Sequence, residues 1–69
     1  MPIGTVTSLQ LTRGFGFIRR GPTEADLFFH FHSLCDLPFD DTLMQREVLF
    51  EVEARPDGRS RAKIVRPAR

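Results

Sequence analysis

The stretch "RGFGFIRR", residues 13–20, sets two phenylalanines two positions apart, beside glycines and between basic residues. Alternate side chains of a β-strand point to opposite faces, so Phe15 and Phe17 share one face and Ile18 takes the other. The register that buries the two rings would also bury Arg19, which a small core tolerates poorly. We therefore expect Ile18 in the core and both rings on the outer surface.

Short runs typical of β-strands, separated by turn signals, fill most of the remaining chain. The segment "CDLPFDDTLMQ" at 35–45 is acidic and interrupted by proline, which predicts a long loop with at most a turn or two of helix. "RPDG" at 55–58 predicts a hairpin turn with a positive φ at its glycine. The predicted strands lie in IGTVTSLQL (3–11), GFGFIRR (14–20), LFFHFHSL (27–34), REVLFEVEA (46–54) and RSRAKIV (59–65).

Five short strands and no long helix predict a small all-β barrel. The 69 residues form one domain, residues 1–69, with room for one modest core. In the first strand, alternation sets Ile3, Thr5, Thr7 and Leu9 on one face and Gly4, Val6, Ser8 and Gln10 on the other. The third strand has Leu27 and Phe29 inward, with Phe28, His30 and His32 on the opposite face. The apolar residues that we expect beside Ile18 in the core are Val6, Val48, Phe50, Val52 and Ile64.

Charge is distributed unevenly, although the net charge is only +1. Residues 36–53 contain six acidic residues and one basic residue, a net charge of −5. Residues 54–69 contain six basic residues and one acidic residue, a net charge of +5. Such a division lets one surface be basic while another is acidic. Taken alone, the basic end is equally consistent with a solvated last strand that frays.

Exposed rings between arginines are what single-stranded nucleic acid requires from a protein surface. Every base has a π-face, and stacking on a side chain contributes ~1–3 kcal/mol per base with little sequence preference. Arginine binds phosphate and also stacks on bases. We expect the glycines beside Phe15 and Phe17 to leave space for a base to lie flat.

The stretch RGFGFI, residues 13–18, resembles the ribonucleoprotein motif that RNA-recognition motifs and cold-shock domains share. A second motif-like stretch, LFFHF at 27–31, follows the first, whereas RNA-recognition motifs have the opposite order. The chain is also too short for the two helices of that fold, and Arg20 stands where its motif has an aromatic residue. Both order and spacing are similar to those of a cold-shock domain. The resemblance extends over GTV (4–6), FEVE (50–53) and AKIV (62–65).

The resemblance implies a five-stranded antiparallel Greek-key barrel of the oligonucleotide-binding type (OB-fold). It also implies binding of single-stranded RNA or DNA, and a loosening of base-paired RNA. Strand alternation would turn Phe31 inward, but the resemblance puts it on the binding face, and we follow the resemblance. Including the arginines of the last strand, the expected nucleic-acid-binding residues are Arg13, Phe15, Phe17, Phe28, His30, Phe31, Phe39, Arg59 and Arg61.

The first strand departs from the family, which usually has Lys-Trp-Phe-Asn where this chain has Thr7-Ser8-Leu9-Gln10. Loss of the indole alone is expected to cost ~1–3 kcal/mol, about ten- to a hundredfold in affinity. Asp40 and Asp41 beside Phe39 add repulsion toward phosphate. The sequence therefore predicts a weaker or differently selective binder than a typical member of the family.

Other classes of function receive little support. His30, His32 and Cys35 form an H-x-H-x2-C cluster, but zinc usually requires four convergent ligands and no second ligand pair is present. We expect no metal or other cofactor, and Cys35 as a small buried residue. No nucleophile–base set or phosphate-binding glycine loop indicates an enzyme.

The remaining expectations concern the partners and the compartment. A single cysteine and the lack of a signal or membrane segment predict a cytoplasmic protein. The expected partner is single-stranded RNA or DNA, with no membrane, and the chain is expected to be a monomer or a weak homodimer. The competing hypothesis is a protein-interaction barrel that docks through its exposed phenylalanines.

Overall fold

The computed structural model describes residues 2–22 and 25–68. Five strands form a closed barrel, as the sequence predicts. The segment 31–46 is a loop with two single-turn 3₁₀ helices, Phe31–Ser33 (η1) and Asp41–Leu43 (η2). The strands are β1 Ile3–Gln10, β2 Phe15–Arg19, β3 Leu27–His30, β4 Glu47–Ala54 and β5 Ser60–Pro67.

The order of strands around the barrel is β1-β2-β3-β5-β4, and β4 pairs with β1 to close it. Four of the five ladders are antiparallel, and the ladder between β3 and β5 is parallel. The predicted five-stranded antiparallel barrel is thus confirmed, with the β3–β5 ladder as its one parallel exception. The reason is geometric, because strand direction cannot alternate all the way around a ring of five.

The core confirms the register predicted for β2. Ile18 is fully buried, while Phe15 and Phe17 are half-buried and outside the core cluster. In β3, Leu27 and Phe29 point inward, also as predicted. The buried apolar residues are Val6, Ile18, Leu27, Phe29, Leu43, Val48, Phe50, Ala62 and Val65.

Two predicted core residues lie outside the core, one of them because of an irregularity in the β4–β5 ladder. The register shifts between Glu51 and Val52, so that two β5 residues, Ala62 and Val65, point inward three positions apart. Ile64 is then only half-buried and lies outside the core. Val52 pairs with the buried Ala62, but it lies close to the β4–β5 turn and is 42% exposed.

A second irregularity lies in β1, where the register with β2 shifts between Val6 and Ser8. Simple alternation put Leu9 on the face opposite Val6. Because the shift inserts one residue, Val6 and Leu9 both pack toward the core, and Ser8 lies opposite Phe17 instead. A β-bulge has this effect on side-chain alternation.

The loop after β3 explains why the prediction of a buried Cys35 is wrong. The Cys35 N–H donates to the Val65 carbonyl oxygen at 2.8 Å, yet its side chain is exposed. Its neighbours Leu34 and Leu37 provide the apolar contacts with the core. Between them the chain turns at Asp36, which has a φ of 59°.

Candidate nucleic-acid interface

Seven rings lie together on the outside of β2, β3 and the loop that follows. Three of them form a triangle on the strands, with ring centroids 6.0 Å apart for Phe15–Phe17, 5.4 Å for Phe15–Phe28 and 5.9 Å for Phe17–Phe28. These separations lie in the range of favourable aromatic pairs. We call the whole set the ring surface: Phe15, Phe17, Phe28, His30, Phe31, His32 and Phe39.

The other four rings follow the end of β3. Phe31 and two imidazoles form a second triangle, with centroid distances of 4.7 Å from Phe31 to His30 and 4.1 Å from Phe31 to His32. The two imidazoles are 4.6 Å apart. Phe39 reaches this group from the long loop, at 5.9 Å from Phe31, and also packs partly against the core.

Strand pairing aligns these two groups. In the β2–β3 ladder, Phe17 lies opposite Phe28, and Phe15 lies opposite His30. Directly paired residues present their side chains on the same face of a sheet. The triangle and the His30 group therefore form one continuous outer surface.

Backbone contacts fix the position of Phe31, for which alternation and the family resemblance disagreed. Its N–H donates to the Gly14 carbonyl oxygen at 2.9 Å, and the chain then enters the turn η1. Because β3 ends at His30, Phe31 does not follow strand alternation, and its side chain is 42% exposed. The exposed position expected from the resemblance is confirmed.

Gly14 and Gly16 have roles different from the one expected for them. A Cβ on Gly16 would lie 2.7 Å from the buried Phe29 ring and 2.6 Å from the Ser8 carbonyl oxygen. Gly14 has a φ of +83°, and a Cβ there would lie 2.8 Å from the Phe31 ring. Both glycines admit rings of the protein itself, so the expectation that they clear space for a base is wrong.

His32 belongs to the ring surface but was not among the predicted binding residues. Its backbone N–H donates to Nδ1 of His30 at 3.3 Å. Alternation did group His32 with Phe28 and His30, and this was the signal available in the sequence. The exposed imidazole adds one more flat group beside Phe31.

A cleft of about 320 Å³ opens at one end of the ring surface, between the β1–β2 turn and the long loop. Arg13 is exposed there, beside Phe31 and Phe39, which places a predicted cation against two predicted stacking rings. Leu11, a residue that sequence reasoning did not select, contributes an apolar edge. The lining residues are Leu11, Thr12, Arg13, Gly14, Phe31 and Phe39.

A second cleft, of about 210 Å³, lies beside Phe28 and contains both predicted arginines of the last strand. Arg59 is exposed, whereas the Nε of Arg61 donates to Oε1 of Glu53 at 2.8 Å. Sequence reasoning missed Arg55, because its approach to Phe28 depends on how the β4–β5 hairpin folds. The lining residues are Phe28, Arg55, Arg59, Ser60 and Arg61.

The acidic loop residues beside Phe39 differ in their surroundings. Asp40 caps η2, with Oδ1 accepting the Thr42 N–H at 3.0 Å and also the Thr42 hydroxyl. Asp41 is exposed in the first turn of η2. One of the two carboxylates therefore stabilises the loop that carries Phe39.

Among residues 2–22 and 25–68, no group of three or more His, Cys, Asp or Glu side chains is placed to hold a metal ion. Within the same residues, no helix has the length and apolar character needed to cross a membrane.

A closed five-stranded barrel with adjacent rings on one outer face and arginines at both ends defines a barrel of the oligonucleotide-binding class. The sequence profile of the 'cold-shock' DNA-binding domain matches residues 3–67. The chain belongs to the cold-shock domain family, whose members are nucleic-acid-binding proteins.

Two bacterial relatives are similar over nearly their whole length. Cold shock-like protein CspA of Shewanella violacea is 32% identical over 62 residues, 90% of this chain and 89% of the relative. The major cold shock protein of Micrococcus luteus is 30% identical over 66 residues, 96% of this chain and 98% of the relative.

Among solved structures, the Drosophila Unr CSD456 structure superimposes with a TM-score of 0.75 and 31% sequence identity. The match covers 99% of this chain but only 26% of that one. The fold of this chain is thus shared with about a quarter of that longer chain.

Proposed function

We propose that this protein binds single-stranded RNA or DNA by stacking bases on the ring surface. The observation that carries the proposal is the contrast within β2, where Ile18 is fully buried and its neighbour Phe17 joins a cluster of outward rings. A barrel this small leaves rings outside its core at a cost in stability, and a base-stacking role explains why. The proposed stacking residues are Phe15, Phe17, Phe28, His30 and Phe31, with Phe39 extending them.

Three arginines are proposed to contact backbone phosphates. Arg13 lies in the cleft beside Phe31, while Arg59 and Arg61 lie in the cleft beside Phe28, so cations flank the rings at both ends. Arg61 uses its Nε on Glu53, and its two terminal nitrogens are the donors that a phosphate could reach. A nucleic-acid strand crossing the rings would then meet positive charge at each end.

Stacking tolerates any base, so the proposed activity has little sequence preference. A protein that stabilises unpaired strands shifts base-paired RNA toward its open form, which supports an RNA-chaperone or regulatory role in the cytoplasm. We expect a modest affinity, because Ser8 provides no indole and the acidic loop lies beside Phe39.

The test is a titration of labelled single-stranded oligonucleotides at several salt concentrations. With two or three phosphate contacts, the log–log slope of affinity against salt should be about −0.7 per contact. Duplex DNA of the same sequence should bind more weakly, because its bases are already stacked.

The competing function, a barrel that docks protein through its exposed rings, predicts a different result. Phe31 and Leu11 are 42% and 49% exposed and give that hypothesis its apolar contact area. It predicts no measurable oligonucleotide affinity even at low salt. Such a result with folded protein would overturn the proposal.

A further inference from the structure

A row of four residues crosses four strands of the barrel and joins the rings to the charged hairpin. Phe17 pairs with Phe28 across β2 and β3, and Phe28 pairs with Arg61 across the parallel β3–β5 ladder. Arg61 also pairs with Glu53 across β4 and β5. Paired residues present their side chains on the same face of a sheet. The row on the outer surface of the barrel therefore consists of Phe17, Phe28, Arg61 and Glu53, in that order.

Arg61 continues the ring surface with another flat group. A guanidinium is planar and delocalised, and it stacks on aromatic faces as a lysine ammonium does not. The contact from Nε to Oε1 of Glu53, at 2.8 Å, leaves Arg61 and Glu53 42% and 35% exposed. An unrestrained arginine would sample many rotamers, and the pairing limits them.

The hairpin beyond Arg61 supplies two more arginines in a fixed arrangement. The Arg55 N–H donates to the Arg59 carbonyl oxygen at 2.7 Å, and the Gly58 N–H donates to the Arg55 carbonyl oxygen at 3.0 Å. Asp57 accepts the Arg59 N–H at 3.0 Å. Both arginine side chains line the cleft beside Phe28, together with the Ser60 side chain.

We propose that the cleft beside Phe28 is a nucleotide subsite. In this subsite, Glu53 holds the Arg61 guanidinium in an orientation that lets a base stack on its planar face. Arg55 and Arg59 bind the adjacent phosphate. The proposal rests on the proposed function and specifies one part of it. Glu53 is a positioning residue, since it acts through Arg61. An acidic side chain inside a nucleic-acid interface would otherwise only repel phosphate.

Two substitutions at Glu53 separate its positioning role from its charge. Glu53→Gln and Glu53→Ala both remove the negative charge, but only glutamine keeps an oxygen that can accept the Arg61 Nε–H. We expect Glu53→Ala to bind a single-stranded oligonucleotide about two- to fivefold more weakly than Glu53→Gln, the range of exposed pairs. In an Arg61→Ala background this difference should vanish. Equal affinities of the two variants, or a difference that persists without Arg61, would overturn the proposal.

Arg61→Lys tests whether the planar guanidinium of Arg61 contributes to oligonucleotide affinity. Lysine keeps the charge, so the salt slope should stay unchanged, while affinity should fall about two- to fivefold through loss of the stacking contact. Wild-type affinity in Arg61→Lys would contradict a stacking role for this residue.

The phosphate part of the subsite is tested by charge removal. Arg55→Ala and Arg59→Ala should each reduce the salt slope by about 0.7. Arg66→Ala is the matched control, because Arg66 is an exposed arginine of β5 that pairs with Leu49, outside the cleft. Equal slopes in all three variants and wild type would contradict the subsite.

The wild-type titration separates this inference from the function on which it rests. If wild-type protein binds no oligonucleotide, both the proposed function and the subsite fail. Suppose instead that wild-type protein binds the oligonucleotide and that Phe17→Ala weakens this binding. If the variants at Glu53, Arg55 and Arg61 then have wild-type affinity and salt slope, only the subsite fails.

Discussion

Ser8 lies directly opposite Phe17 in the β1–β2 ladder, on the outer side of the barrel. The family resemblance leads one to expect a tryptophan at this position, and the chain contains none. A small hydroxyl therefore stands next to the ring triangle where a large stacking group is usual.

Ser8→Trp should raise the affinity for single-stranded oligonucleotides by ~1–3 kcal/mol, about ten- to a hundredfold, because one base gains a stacking partner. The substitution introduces the chain's single indole, so quenching of its fluorescence measures binding directly. No charge changes, and the salt slope should equal that of wild type. Unchanged affinity would mean that this part of β1 lies outside the binding surface.

Phe17→Ala and Ile18→Ala form a matched pair of neighbours on opposite faces of β2. Phe17→Ala should weaken oligonucleotide binding by ~1–3 kcal/mol and change thermal stability little. Ile18→Ala should reduce the free energy of unfolding by ~2–5 kcal/mol, because it leaves a cavity in the core. Fluorescence anisotropy and chemical denaturation measure the two effects, and a large loss of stability in Phe17→Ala would contradict the outward role of its ring.

Gly16→Ala should destabilise the barrel by ~1–3 kcal/mol, since its Cβ would press on the Phe29 ring and on the Ser8 carbonyl oxygen. Gly58→Asn is the control. Gly58 has open space around it and a φ of +86°, a conformation that asparagine tolerates. Denaturant unfolding measures both variants, and equal stability of Gly16→Ala and wild type would contradict the close packing of β2 on Phe29.

Asp40→Ala should lower the free energy of unfolding by ~1 kcal/mol, because Thr42 loses the carboxylate that caps η2. Asp41→Ala removes the same charge without removing the cap. Both variants should relieve repulsion toward phosphate, so only stability should distinguish them. If thermal melts show the same stability for both, the cap contributes nothing measurable to the loop.

Much of the fold could be predicted because each strand carries a local signal. The order of Phe17, Ile18 and Arg19 fixed the register of β2, since only one choice buries the aliphatic side chain and leaves Arg19 outside. The hairpin at residues 55–58 was equally clear, and its glycine has the expected positive φ. The family assignment followed from two motifs at the right spacing.

The errors occurred where pairing between strands overrides local alternation. The register shifts in the β1–β2 and β4–β5 ladders depend on strand pairing, so no pattern within a single strand signals them. Ile64 was expected inside for the same reason. The prediction that Cys35 is buried failed because the neighbouring leucines, Leu34 and Leu37, make the contacts with the core.

The position of the rings and arginines of the candidate interface could be predicted in part. Phe15, Phe17, Phe28 and His30 could be found because alternation within β2 and β3 puts them on one face, whereas Phe31 and Phe39 were found only from the family resemblance. Arg55 and the role of Glu53 could not, since both depend on β5 lying beside β3, a contact between distant parts of the chain. The roles of all the site residues in binding remain predictions.

The parallel ladder between β3 and β5 has a consequence for biosynthesis. Phe28 emerges from the ribosome well before Arg61, so a growing chain carries bare phenylalanines without the strand that flanks them and closes the cylinder. Contacts so far apart in sequence form slowly. Until the final strand has been translated and docked, the nascent chain exposes apolar aromatic groups at an open sheet edge. Misassociation with other chains is most favoured in this interval.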